Sequence, residues 1–387
     1  MNAFHQWLPA LVLPAWLLVP FATPSPTPAR AASTCEQHDL IVDHSMTLDP
    51  SCHYTGTVTI SNSGVTLDCN GATLDGEAKV TRTLIVGGAH RVTNVEVRNC
   101  VVTGSRSEGL FVGLSMPDGR KPTDAEGHAF YDQHPQNIVL RHLTVRRSGR
   151  SGIYIDDYVQ NVTIADSVVE ENGGVGIYLE HSSRHNRVVG SRIVNNGYGT
   201  TSGIPGADTG SREGVAIDSS ADNLIENNVV SGNLAGGIFL YRNCGEQPDN
   251  PDQVKRWQPS TRNVIRNNMV DGGRIGIWVA SRQDAPYHQD QCRLVPDPAH
   301  GIFPDAAPGN RVHGNMIGNV AIGIRVADDD NEVTSNRVKA RTSCLILGSE
   351  DRSRNGSPVH GLAVSNNQCD AGSIQIAPET GLSPPPR

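Results

Sequence analysis

The chain has 387 residues, with 40 Gly, 24 Pro and only 5% aromatic residues, enough for one large elongated domain. Its formal net charge of -8 argues against a nucleic-acid-binding surface, which needs a basic patch or stripe. An anionic partner is not excluded, because a local basic cluster can sit inside an acidic envelope.

Residues 8–21 form an apolar run broken by prolines, and Ala29-Arg-Ala31 follows as a small-x-small cleavage pattern. This predicts a signal peptide over residues 1–31 and a secreted or periplasmic mature chain. No Lys or Arg precedes the run, which departs from the usual signal, and the run is too short to span a membrane. Eight cysteines agree with an oxidising compartment. Their positions suggest the local pairs Cys35–Cys52, Cys69–Cys100, Cys244–Cys292 and Cys344–Cys369, although sequence alone does not fix pairing. No Cys/His cluster has zinc spacing, so structural zinc is not expected. The folded domain is predicted over residues 32–374, ahead of a disordered Pro-rich tail at 375–387.

Strict alternation begins at Val58-Thr-Ile60, Val65-Thr-Leu67 and Ala72-Thr-Leu74, so strands start near the mature N-terminus. From Gly109 to about Leu347 a two-part phrase then recurs. The Gly-led half reads Gly152-Ile-Tyr-Ile-Asp156, Gly176-Ile-Tyr-Leu-Glu180, Gly214-Val-Ala-Ile-Asp218, Gly237-Ile-Phe-Leu-Tyr241, Gly276-Ile-Trp-Val-Ala280 and Gly323-Ile-Arg-Val-Ala327. The Asn-led half begins at Asn161, Asn186, Asn223, Asn263, Asn310 and Asn331. Without insertions the unit spans twenty to twenty-five residues, as from Gly152 to Gly176. One such unit cannot bury its own apolar face, and stacking completes the core. Several β-branched stretches per unit, Gly-rich corners and no helical period describe an all-β, parallel β-helix. Asn tolerates a left-handed backbone and bonds neighbouring backbone at corners, so the recurrent Asn residues are assigned to folding.

Insertions are one-sided. Residues 113–136, 243–262 and 282–309 leave from the C-terminal end of the Gly-led strand, and 198–213 enters it from the other end. Insertions gathered on one side of a solenoid wall a binding face. Side chains alternate along a strand, so with Ile153 and Ile155 inside, Tyr154 and Asp156 point outward. The rule generates two lanes along the axis. One is aromatic, with Phe111, Tyr154, Tyr178, Phe239 and Trp278; the other is acidic, with Asp156, Glu180 and Asp218, and ends at Tyr241. Exposed aromatics in a row call for a cover, and sugar rings supply one by stacking, so these five residues are the candidate substrate-binding set.

Stacked carboxylates repel and ask for a compensating charge or a raised pKa. Asp156, Glu180 and Asp218 are therefore candidate Ca²⁺ ligands, or candidate acid/base residues for a glycosidic bond. His181, Tyr241 and Arg242 stand beside them as candidates for proton transfer or for clamping a substrate carboxylate. Arg184, Arg212, Arg282 and His288 are weaker candidates near the same rim.

The Gly176 and Gly214 repeats, with Val65-Thr-Leu-Asp-Cys-Asn-Gly-Ala-Thr-Leu-Asp-Gly76, resemble the right-handed parallel β-helix superfamily. That superfamily includes pectate and alginate lyases, mannuronan C5-epimerases and polygalacturonase-type hydrolases. The Asp-Pro-His stretch of the epimerases is absent, and of the polygalacturonase signature only Asp156-Asp157 is present. Carboxylates on successive coils followed by Arg242 are similar to the calcium-plus-arginine arrangement of pectate-lyase-type enzymes, at a different coil spacing.

Taken together, the sequence predicts a monomeric, exported enzyme acting on a polysaccharide or oligosaccharide. The leading expectation is β-elimination or C5-epimerisation of a uronate-containing chain. The rivals are a glycoside hydrolase using two of the stacked carboxylates and a non-catalytic polysaccharide-binding surface protein.

Overall fold

The computed structural model describes residues 35–115, 131–180, 182–199, 210–242, 258–280, 307–354 and 356–382. The predicted leader, His181, Arg282, His288 and the Cys244–Cys292 pair lie outside them. The described residues form a right-handed parallel β-helix. Each coil contributes an Asn-led strand, a short middle strand and a Gly-led strand, as in Gln136–Arg141, Thr144–Arg146 and Ile153–Ile155. The next coil repeats them in parallel register at Gln160–Ala165, Val168–Glu170 and Ile177–Leu179. Near the C-terminus, Met316–Val326 and Arg337–Leu347 run through the middle and Gly-led positions as single strands. Those two layers therefore join as one sheet of 21 strands, facing an Asn-led sheet of 11.

The inward positions stack like on like. Ile153, Ile177, Val215, Ile238, Ile277 and Ile324 follow one another across six coils, and each has no exposed surface. Burial of each such side chain stabilises the fold by about 1.5–3 kcal/mol. The leading glycine has a steric cause in the same stacking. A Cβ on Gly152 would lie 2.6 Å from Val169 Cγ1 and 2.8 Å from the Gly176 carbonyl oxygen, so any larger residue would force neighbouring coils apart.

The recurrent Asn residues divide into two structural kinds. Asn186, Asn223, Asn263, Asn310 and Asn331 are buried at one corner, where each side-chain oxygen accepts the preceding coil's backbone N–H at 2.8–3.0 Å. Asn161 belongs elsewhere. Thr163 pairs with Arg187, which sets Asn161 opposite His185 rather than Asn186. Asn161 and His185 both hold a left-handed backbone, at φ 59° and 56°. Spacing alone merged these adjacent columns because both favour Asn.

Three predicted disulfides are formed, Cys35–Cys52, Cys69–Cys100 and Cys344–Cys369. The described part of the expected tail is packed rather than loose: a strand runs Gln368–Ile376, and Leu382 rests against the core. Among the described residues, no helix is long and apolar enough to cross a membrane.

Candidate active site

The Gly-led strands hold both predicted lanes in register. Phe111 pairs with Tyr154, Tyr154 with Tyr178, Tyr178 with Ala216, Ala216 with Phe239, and Phe239 with Trp278. The rings of Phe111, Tyr154 and Tyr178 stack, with centroids 6.0 and 5.2 Å apart, and Trp278 meets Phe239 edge-on at 5.4 Å. Two residues further along, the backbone ladder continues through Asp156, Glu180 and Asp218, and Asp218 pairs with Tyr241. The three carboxylates thus leave from the same position of three successive coils.

The lanes are bonded to each other. The Tyr154 hydroxyl donates to Glu180, and the Tyr178 hydroxyl donates to Asp218 at 2.7 Å. Ser219 donates to the other Asp218 oxygen at 3.0 Å. Each tyrosine therefore reaches one coil forward to orient a carboxyl group. Asp156 has a different character. Loss of hydration pushes its carboxyl well above the usual aspartate range, and the charges of Asp157 and Glu180 push it further, against a hydrogen bond from the Asp157 backbone N–H and the charge of Arg82. Gly113 supplies the space it occupies, because a Cβ there would run into the Asp156 side chain.

The expectation of a solvent-facing surface needs correction at five positions. Phe111 and Phe239 are 1% and 6% exposed, Asp218 is fully enclosed, Arg242 is 2% exposed, and Glu180 keeps only 8%. Phe111 and Phe239 are covered, while Tyr154, Tyr178 and Trp278 stay half-buried. Arg242 is poorly placed to clamp a substrate or take its proton directly. Alternation gives the direction in which a side chain leaves its strand, but not what is packed above it.

Two site residues were not legible as such in the sequence. Glu213, 4% exposed, accepts a hydrogen bond from the Tyr241 hydroxyl at 2.8 Å. Burial raises its pKa, and Asp218 raises it further, against the Tyr241 bond and Arg212. Tyr241 lies opposite Asp218, so its ring must run along the face past Ala216 to reach Glu213. The available signal was an acid in the column before the leading glycine, where Ser151, Val175 and Ile275 stand on other coils. The second is Arg82. Its guanidinium lies 3.5 Å above the Phe111 ring, with Nε donating to Glu108 at 3.0 Å. No repeat phrase contains it.

Two insertions return to the same corner. Tyr131, at the end of one, donates to Gln258, at the end of another, at 3.1 Å. Gln258 in turn donates to the Ser183 and Ser219 carbonyls. Arg184 covers the Tyr131 ring at 3.5 Å and donates to Gln160, so it serves this junction rather than the lanes. The corner where the insertions meet directly follows the acidic lane.

Among the described residues, no group of three or more His, Cys, Asp or Glu is arranged to hold a metal ion. Glu180 and Asp218 each accept a tyrosine hydroxyl.

Residues 50–204 and 91–251 match the family described as right handed beta helix region, together just over half of the chain. Residues 209–356 match the family described as periplasmic copper-binding protein (NosD); the described residues supply no His, Cys, Asp or Glu cluster for such an ion either. No curated protein matches the chain. Among solved structures, it is similar to an alginate lyase from a Paenibacillus species, at 13% identity and TM-score 0.48, over 90% of this chain and 99% of that one. The A-module of a mannuronan C-5 epimerase from Azotobacter vinelandii is similar at 14% identity and TM-score 0.44, over 92% of each chain. A double mutant of the tailspike protein of E. coli bacteriophage HK620 is similar at 11% identity and TM-score 0.51, over 91% of this chain and 56% of that one. At such identities the likeness concerns the fold.

Proposed function

The chain belongs to the right-handed parallel β-helix superfamily, and from that premise we propose that it is an exported carbohydrate-active enzyme hydrolysing glycosidic bonds in a polysaccharide. One observation carries the reading. A carboxyl whose surroundings raise its pKa, Asp156, stands one coil from a second carboxyl, Glu180, that a tyrosine hydroxyl orients. The first is suited to giving a proton and the second to attack. Three disulfides among the described residues support a secreted or periplasmic location.

The chemistry follows from the spacing. Adjacent coils lie about 4.8 Å apart, near the ~5–5.5 Å carboxyl separation of retaining glycosidases. Asp156 gives its proton to the glycosidic oxygen as the bond to the anomeric carbon breaks. Glu180 closes on that carbon, forming a glycosyl ester. Water then attacks the ester, Asp156 accepts the water's proton, and Glu180 is released. Tyr154 holds Glu180 for attack, and the Tyr178–Asp218 pair fixes the ring beside it. Tyr154, Tyr178 and Trp278 offer stacking surface to the sugar rings.

The test is incubation with acidic and neutral glycans, with product masses and anomeric configuration recorded. New reducing ends, retained configuration and indifference to chelator are expected. Products lighter by one water, absorbing in the ultraviolet, would sink hydrolysis and favour β-elimination of a uronate chain; an uncut chain of unchanged mass with inverted C5 configuration would favour C5-epimerisation. The Tyr241–Glu213 pair supports either alternative: a tyrosine hydroxyl on a buried carboxyl with a raised pKa is suited to moving a proton.

A further inference from the structure

Resting on the reading of this face as a site that cleaves glycans, we infer that Tyr131 and Gln258 are positioning residues, whose mutual bond ties together the three coils that carry Asp156, Glu180 and Asp218. The two partners start far apart along the axis. Tyr131 stands at the corner after the Phe111 strand, Leu110–Leu114, and Gln258 at the corner after the Tyr241 strand, Gly236–Tyr241. At these corners Gln136 pairs with Gln160, Gln160 with Arg184, Arg184 with Ala221, and Leu224 with Val264. Four coil steps therefore separate them, about 19 Å at ~4.8 Å per step. Their side chains nevertheless meet, the Tyr131 hydroxyl donating to Gln258 at 3.1 Å. The coils in between are those of the three acids.

The tie touches the turn that follows each acid. Just after Asp156, the Tyr158 ring meets the Tyr131 ring edge-on at 5.3 Å. After Glu180, the Ser183 carbonyl accepts from the Gln258 amide at 3.1 Å, and the Ser183 N–H donates to the Glu180 carbonyl. After Asp218, the Ser219 carbonyl accepts from the same amide at 3.1 Å, and the Ser219 hydroxyl donates to Asp218. These turns carry strain that calls for support: Tyr158, Ser182 and Ser219 hold a left-handed backbone without being glycine, at φ 55°, 60° and 50°. The carbonyls themselves do not need the amide. Ser183 already accepts from the Ser220 hydroxyl and the Ala221 N–H, and Ser219 from the Ser182 N–H, so Gln258 is not there to satisfy them. What the amide adds is a fixed distance between the Glu180 and Asp218 turns, and Tyr131 extends that constraint to the Asp156 turn. Tyr131 and Gln258 are 1% and 5% exposed, so they act on the carboxyls through the backbone rather than by touching a sugar.

Two substitutions isolate the tie. Tyr131→Phe keeps the ring against Tyr158 and under Arg184 and removes only the hydroxyl; Gln258→Met keeps the volume and removes the amide. Both variants and the double variant would be compared with wild type by kcat and KM on a cleaved glycan, by melting temperature, and by hydrogen exchange of the Ser182, Ser183 and Ser219 amides. Kcat per folded molecule is expected to fall about tenfold in Gln258→Met and about threefold in Tyr131→Phe, with KM within about twofold of wild type. The double variant should fall no further than Gln258→Met, because the two residues act as one unit. Exchange at the three corner amides should quicken about tenfold in Gln258→Met, while the Asn223 and Asn263 amides of the ladder keep their protection. A purely structural role would lower the melting temperature and leave kcat per folded molecule unchanged. That result, unchanged exchange at the corner, or kcat losses that multiply in the double variant would overturn the inference. Should Gln258→Met fold poorly, the kcat and exchange of Tyr131→Phe decide. A wild type that cleaves no glycan, but whose corner amides lose protection in either variant, would instead defeat the hydrolytic reading and leave the tie standing.

Discussion

Two columns of side chains run along the same coils and use the same register for opposite ends. At the Asn-led corner, Asn223, Asn263 and Asn310 pass a hydrogen bond from amide to amide, with every member alike and buried. On the Gly-led face, bonds also cross from coil to coil, but between unlike partners: Tyr154 to Glu180 and Tyr178 to Asp218. Identical rungs satisfy one another, leave no charge and stabilise the stack. Unlike rungs gather ionisable groups at one place and push Asp156 toward its neutral form. Repetition builds the scaffold, and the break in repetition builds the site.

Breaking each column should therefore give different losses. The largest expected effect is on the face. Glu180→Gln removes the nucleophile and should abolish hydrolysis, with the melting temperature little changed; retention of the wild-type rate would falsify its assignment. Next comes the corner. Asn263→Ala deprives the Asn223 backbone N–H of its acceptor and deletes the amide between Asn223 and Asn310. A loss of about 2–3 kcal/mol is expected in denaturant titration, with kcat per folded molecule unchanged. An unaltered unfolding midpoint would contradict the ladder's stabilising role.

A smaller effect is expected at Tyr154→Phe, which keeps the ring in its stack and removes only the bond to Glu180. About a tenfold fall in kcat, with KM nearly constant, would separate orientation of Glu180 from substrate stacking. A rise in KM alone would reverse that assignment. Smallest in size is the pH signature of Asp156. Its proton is held more tightly folded than unfolded, so its contribution to stability is complete below the ordinary aspartate pKa of about 3.9. That contribution is lost as pH rises through the raised folded value. Asp156→Asn should therefore lose less stability than wild type as pH rises above about 3.9. Parallel stability profiles in the two proteins would remove the protonated acid from the mechanism.

The solenoid could be read before any coordinates because a two-residue alternation and a recurring Gly and Asn are local properties. They require only that neighbouring coils stack. The same reading placed Tyr154, Asp156, Tyr178, Glu180, Asp218 and Tyr241 on one face, since alternation and register together fix the direction of each side chain. It shifted Asn161 by one column, because two adjacent corner positions both favour Asn for different reasons.

Sequence by itself determined the coil, its inward aliphatic stack and the order of residues along the face, and it suggested three cysteine pairs that the structure forms. Tertiary structure alone decided which of those residues are covered, burying Phe111, Phe239, Asp218 and Arg242. It alone also brought Glu213 to Tyr241 and Arg82 to Phe111. The division is physical. Periodicity records the direction in which a side chain leaves its strand, whereas hydration, charge and ring contact depend on what other parts of the chain place above it.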